Sequence, residues 1–120
     1  SAAIEAAIEG IPAIGFSLCD YDSQADFDHA TLYVEKIIRE AIKKGIPKHV
    51  ALNVNIPGKQ SGSIKGIKVC RQALASWQED FDTRKDPHGR DYYWMTGEFV
   101  NHDHGQDTDE WAIKNGFVSI

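Results

Sequence analysis

Between Ile11 and Leu18 the chain is apolar almost without interruption, and a helix-like Ala, Ile and Glu segment closed by Gly10 comes directly before it. A strand with so little polar alternation has to be covered on both faces. Short helix, tight turn and buried strand in succession suggest a βα-type layered architecture. The expectation is therefore an α/β fold of three layers around a mostly parallel sheet.

The other elements follow from period and punctuation. Residues 2–9 read as the first helix, which has no cap because Ser1, its only candidate, is the first residue. Asp20-Tyr21-Asp22-Ser23 makes a polar turn. From residue 26 to residue 44, Ala30, Val34, Ile37, Ile38 and Ala41 form the stripe of an amphipathic helix that should cover one sheet face. Asp26 and Asp28 near its start, and Lys43 and Lys44 before Gly45, complement the helix dipole.

Residues 50–56 and 64–71 are the next two strands. In the first, Leu52, Val54 and Ile56 alternate with Asn53 and Asn55, which gives one apolar and one amide-lined face. In the second, Lys65, Gly66 and Lys68 space Ile64, Ile67 and Val69, so one face should be exposed or turned to another subunit. Residues 72–101 change character. Trp77, Phe81, Tyr92, Tyr93, Trp94 and Phe99 flank the turn signal Asp86-Pro87-His88-Gly89, the pattern of a long protruding β-hairpin. A lone hairpin is marginal in water, so its aromatic residues need a partner surface. Asp107-Thr108-Asp109 should cap a short helix over 110–115, with Gly116 ending it and 117–120 starting a last strand.

A net charge of −5 with scattered Lys and Arg argues against a nucleic-acid polymer as partner. The two cysteines, Cys19 and Cys70, are too few for a metal knuckle or a disulfide framework and read as reduced, half-buried thiols. No apolar run approaches the ~20 residues that span a bilayer, so no membrane role and a cytoplasmic location are expected.

Among local constellations, His102-Asp103-His104 with Asp107 and Asp109 has the ligand types for Zn²⁺ or Mn²⁺, but Asn, Asp, His and Gly are the residues of a solvated loop, which is the reading favoured. Asp107 and Asp109 could form an acid–base pair, but a helix N-terminus favours their charged forms and hence a capping role. Asn53 and Asn55 could touch a nucleotide, although such amides more often bond neighbouring main chain. Tyr92-Tyr93-Trp94 could stack a base or pack in a core or interface. No catalytic, metal or cofactor-binding residue is assigned within the chain.

Four segments carry a resemblance: Leu52-Asn53-Val54-Asn55-Ile56-Pro57, Ile64–Gln72, Asp86–Trp94, and Asp107-Thr108-Asp109 leading to Gly116–Ile120. In that order and spacing they resemble the C-terminal half of the SurE family of stationary-phase survival proteins, and Ser1–Ile14 resembles the stretch just before it. The resemblance implies part of a 5'-nucleotidase, a phosphomonoesterase acting on nucleoside monophosphates with a divalent metal, Mn or Mg. It also implies one SurE-like, Rossmann-like domain of which residues 1–120 are a C-terminal, internal piece. Its members assemble as homodimers or homotetramers that exchange C-terminal elements.

The family's metal site uses an Asp-Asp-Gly, a serine and the asparagine of a Ser-Gly-x-Asn-x-Gly stretch. None of these occurs here, since Ser61-Gly62 is followed by Ser63 and Ile64. The chain alone should accordingly be inactive, supplying sheet completion and oligomerisation. The alternative is a non-catalytic assembly or binding module.

Overall fold

A computed structural model describes all residues, 1–120. Helix α1 (Ala2–Ile8) is capped after all: Ser1 Oγ accepts the Ile4 N–H at 3.5 Å. The first residue can cap because capping needs only its side-chain oxygen and an extended approach, not a preceding chain. Strand β1 (Ala13–Cys19) follows, then α2 (Asp28–Lys44). Helix α2 starts two residues later than its charge pattern suggests, because Asp26 Oδ1 accepts the Asp28 N–H at 2.8 Å and so belongs to the preceding turn. Gly45, at φ 78°, closes the helix in a conformation that costs a glycine little.

Strand β2 (Ala51–Pro57) lies parallel to β1, with Ile14 opposite Leu52 and Leu18 opposite Ile56. Strand β3 covers only Gly66–Lys68, shorter than the expected 64–71. Beyond β3 the chain first keeps its pairing with the C-terminal residues and then turns to the segment around Thr108. Cys70 N–H donates to Ile120 at 2.8 Å, and Arg71 exchanges main-chain bonds with Asp107 and Asp109. The hairpin strands β4 (Ala75–Lys85) and β5 (Asp91–Asn101) come next, then helix α3 (Asp109–Lys114) and strand β6 (Phe117–Ser119).

The main sheet runs β1-β2-β6-β3. Two of its junctions are parallel, and β2–β6 is antiparallel through Asn55 and Ser119. On one face, Ala30 and Ile37 of α2 pack on Val54, Ile56 and Val118, with Ile14, Phe16 and Leu18 around them. On the other, α1 lies over β1 and β2, close enough that Ala3 Cβ would touch a side chain at Gly15, and α3 lies over β2 and β6. Helices on both faces of a largely parallel sheet are the three layers expected. Ile56 is 1% exposed at the centre of this core. Ile56→Ala is expected to lower unfolding free energy by about 2–5 kcal/mol. Ile42→Ala, at a position 79% exposed, should change it by less than about 0.5 kcal/mol. Urea denaturation of the two variants checks both.

The hairpin forms a separate two-stranded sheet from residue 75 to residue 101 and extends the molecule to 61 Å in its longest dimension. Its register places Trp77 opposite Phe99, Phe81 opposite Met95 and Thr83 opposite Tyr93 on one face. Gln78 with Glu98, Asp80 with Thr96 and Asp82 with Trp94 occupy the other. Gly97 is required by close approach, because a Cβ there would collide with the Trp77 indole and the Gln78 carbonyl. At the tip, Asp86 Oδ1 accepts the N–H groups of His88 and Arg90, and Gly89 turns at φ 79°. No helix is long and apolar enough to cross a membrane.

Candidate functional site

Parallel strands bring their carboxyl ends to one side of a sheet, where chain crossings leave a crevice. Here β1 and β2 do so on the face shared by α1 and α3. Because β1 and β2 run in register, residues of like parity share that face, and Ser17 and Cys19 of β1 stand beside Asn53 and Asn55 of β2. Asp109, Glu110 and Ile113 of α3 line it as well, with Gln72, Ala73, Tyr21 and Phe99. The crevice holds about 330 Å³.

Asn55 Nδ2 donates to Ser119 Oγ at 3.4 Å across the β2–β6 junction. That corrects the expectation that these amides bond main chain: the antiparallel pairing puts a serine hydroxyl where a carbonyl was anticipated. The Asn53 side chain is exposed and makes no hydrogen bond within residues 1–120, so its carboxamide lines the crevice uncommitted. Burial pushes the Cys19 thiol up, and the nearby Glu110 carboxylate adds to this. Both cysteines are free and half-buried, as expected.

A second cluster sits where the hairpin leaves the body. Arg71 Nε donates to Asp107 Oδ2 at 2.8 Å, and the guanidinium also holds both oxygens of Asp103. Asp103 Oδ1 accepts the Gly105 N–H at 3.0 Å and Asp103 Oδ2 the Leu74 N–H at 3.3 Å, so one carboxylate joins both strands of the hairpin base. The Arg71 guanidinium, followed by these amides, holds the Asp103 carboxyl well below the usual carboxylate range. Arg71 also lowers Asp107.

Asp107 is therefore an ion-pair partner and not a cap. The cap of α3 is Thr108, fully buried, whose Oγ1 accepts the Trp111 N–H at 3.2 Å. Asp109 Oδ1 accepts the N–H groups of Ala73 and Glu110, both at 2.8 Å, stitching the helix to the loop before β4. Threonine takes the cap position because its short hydroxyl reaches the amide from inside the protein, whereas a charged carboxylate there would be desolvated.

His102 and His104 lie in the loop after β5. Asp103 between them is spent on Arg71, and no group of three or more His, Cys, Asp or Glu side chains converges closely enough to hold a metal ion. The metal-ligand and acid–base readings of residues 102–109 both give way to this clamp. Arg71 was missed in the sequence. The signal was the i, i+4 pair Asp103 and Asp107, which needed a cation from a distant segment.

A pH dependence follows with a definite sign. Asp103 has its folded pKa depressed, so its contribution to stability is present above its unfolded pKa of about 3.9 and fades as pH falls below it. Asp103→Asn is expected to lower the melting temperature at pH 7. Its gap from the unsubstituted protein should close steadily below about pH 4, as read by circular dichroism melts.

The comparisons bear on the whole arrangement. The family model described as "Survival protein SurE" matches residues 1–79. The chain belongs to the SurE family. A relative from Flavobacterium psychrophilum named "5'-nucleotidase SurE" is 62% identical over all of the chain, and one of the same name from Cytophaga hutchinsonii is 58% identical. In both cases the chain spans about half of the relative, 47% and 46%. Among solved structures, the SurE protein of Aquifex aeolicus superposes with a TM-score of 0.74 at 37% identity, over 98% of this chain and 47% of that one. The SurE architecture thus includes the α/β sheet described here as a partial domain.

Proposed function

We propose that residues 1–120 are the C-terminal portion of one SurE-like domain in a divalent-metal-dependent 5'-nucleotidase that hydrolyses nucleoside monophosphates. The observation that carries this reading is identity along the full chain, at 62%, to a protein named for that activity. The chain's own donors do not fit the metal, because Asp103 and Asp107 are neutralised by Arg71 and no third ligand joins them. We therefore assign the Mn or Mg site to residues outside this portion. What these residues contribute is the sheet under the cleft, the crevice at the ends of β1 and β2, and the hairpin as an assembly element of a homodimer or homotetramer. Two free thiols fit a reducing, cytoplasmic setting.

The test is steady-state phosphate release by a protein in which the chain is joined to the remaining half of a SurE polypeptide. Turnover of nucleoside monophosphates that depends on added Mn²⁺ or Mg²⁺ is expected. A folded, joined protein that releases none overturns the reading.

A further inference from the structure

The crevice at the carboxyl ends of β1 and β2 has a composition that selects one part of a nucleotide over another. Its volume of about 330 Å³ lies within the ordinary range for small-molecule sites. No Lys or Arg lines it, and two carboxylates, Asp109 and Glu110, do. The nearest guanidinium in sequence, that of Arg71, is spent on Asp103 and Asp107. A phosphate dianion entering this crevice would lose its hydration and meet like charge, which is unfavourable on both counts.

A neutral heterocycle with donors and acceptors on its edge meets the opposite situation. Asn53 offers an amide that donates and accepts at once, the geometry that pairs with a base edge, and no group of the protein satisfies it. Gln72 supplies a second amide in the lining. Tyr21, fully exposed, places an aromatic face beside the crevice, where a base can stack.

We propose that this crevice is a nucleoside subsite: Asn53 and Gln72 bond the base or ribose, Tyr21 stacks on it, and the phosphate is held outside. The inference rests on the nucleotidase reading for its biological ligand, but it is testable apart from that reading. The experiment is amide NMR titration of the purified chain with adenosine, adenosine monophosphate and inorganic phosphate. Adenosine and its monophosphate should shift the amides of Ser17, Asn53 and Gln72 with dissociation constants within about threefold of each other, and phosphate should shift none.

Asn53→Ala and Tyr21→Ala should each weaken adenosine binding about tenfold. Both positions are exposed, and unchanged spectra elsewhere will show that the variants fold. Binding of the monophosphate without adenosine, binding of phosphate alone, or no shift at the crevice would each overturn the proposal. If adenosine binds through Asn53 while the joined protein hydrolyses no nucleotide, the nucleotidase reading fails alone. If the joined protein is active and adenosine leaves the crevice unperturbed, the subsite fails alone.

Discussion

Residues 1–120 by themselves are expected to release no phosphate from nucleoside monophosphates or p-nitrophenyl phosphate, with Mn²⁺, Mg²⁺ or Zn²⁺ supplied. Phosphomonoester hydrolysis has one of the highest uncatalysed barriers known, and enzymes of this kind lower it by setting a cation against the charge that develops. The carboxylates that could gather such a cation here already have partners. Asp103 and Asp107 are held by Arg71, and Asp109 accepts the N–H groups of Ala73 and Glu110. Pulling any of them toward a metal would break the joint between hairpin and body before a site formed. Replacing both His102 and His104 by Ala should likewise leave turnover of the joined protein near its starting value. Malachite-green assay of the purified chain, then of the chain joined to the remaining half of a SurE polypeptide, checks the contrast, with activity only in the second. Turnover by the chain alone that disappears in Asp103→Asn together with Asp107→Asn would overturn the argument.

The sheet was legible because its signals are local. The apolar run 11–18, broken only by Ser17, required two covers, and α2 with α1 provides them over β1. Alternation in 51–57 placed Val54 and Ile56 in the core at 0% and 1% exposure, and Asn53 and Asn55 on the opposite face. The hairpin was legible from its turn residues and its aromatic arms, apart from residues 72–74, which form the loop that Asp103 and Asp109 hold.

What the sequence concealed depends on contacts between distant segments. Arg71 and Asp103 are 32 positions apart, and nothing in the local pattern around either residue reveals the other. The same applies to the end of the segment expected as 64–71, where Cys70 still bonds Ile120 but Arg71 exchanges main-chain bonds with Asp107 and Asp109. The crevice is an intermediate case. Asn53 and Asn55 stood out individually, whereas Ser17 joins them only through the parallel register of β1 and β2.

Assembly through the hairpin is the second large effect expected. Trp77, Phe81, Tyr93, Met95 and Phe99 share one face of β4 and β5, at 59%, 58%, 66%, 65% and 50% exposure, and nothing in the chain covers them. An exposed, largely aromatic face on a two-stranded ribbon, interrupted only where Glu79 stands opposite Gly97 and by Thr83, is unstable in water and is the signature of an interface. A second copy suits it, because two identical ribbons related by a twofold axis bury the same residues against each other. The Arg71 clamp fixes the angle at which the ribbon leaves the body, so the ribbon is already oriented when it meets a partner. Sedimentation velocity at micromolar concentration should show a dimer or tetramer. Trp77→Ser with Phe81→Ser should raise its dissociation constant by at least about a hundredfold, since central aromatic residues contribute roughly 2 kcal/mol or more each. Gln78→Ser on the opposite face, where its neighbours are Asp80, Thr96 and Glu98, should leave assembly unchanged. A monodisperse monomer of the unsubstituted chain, or a double variant that assembles as tightly, would show that the aromatic face serves some other contact.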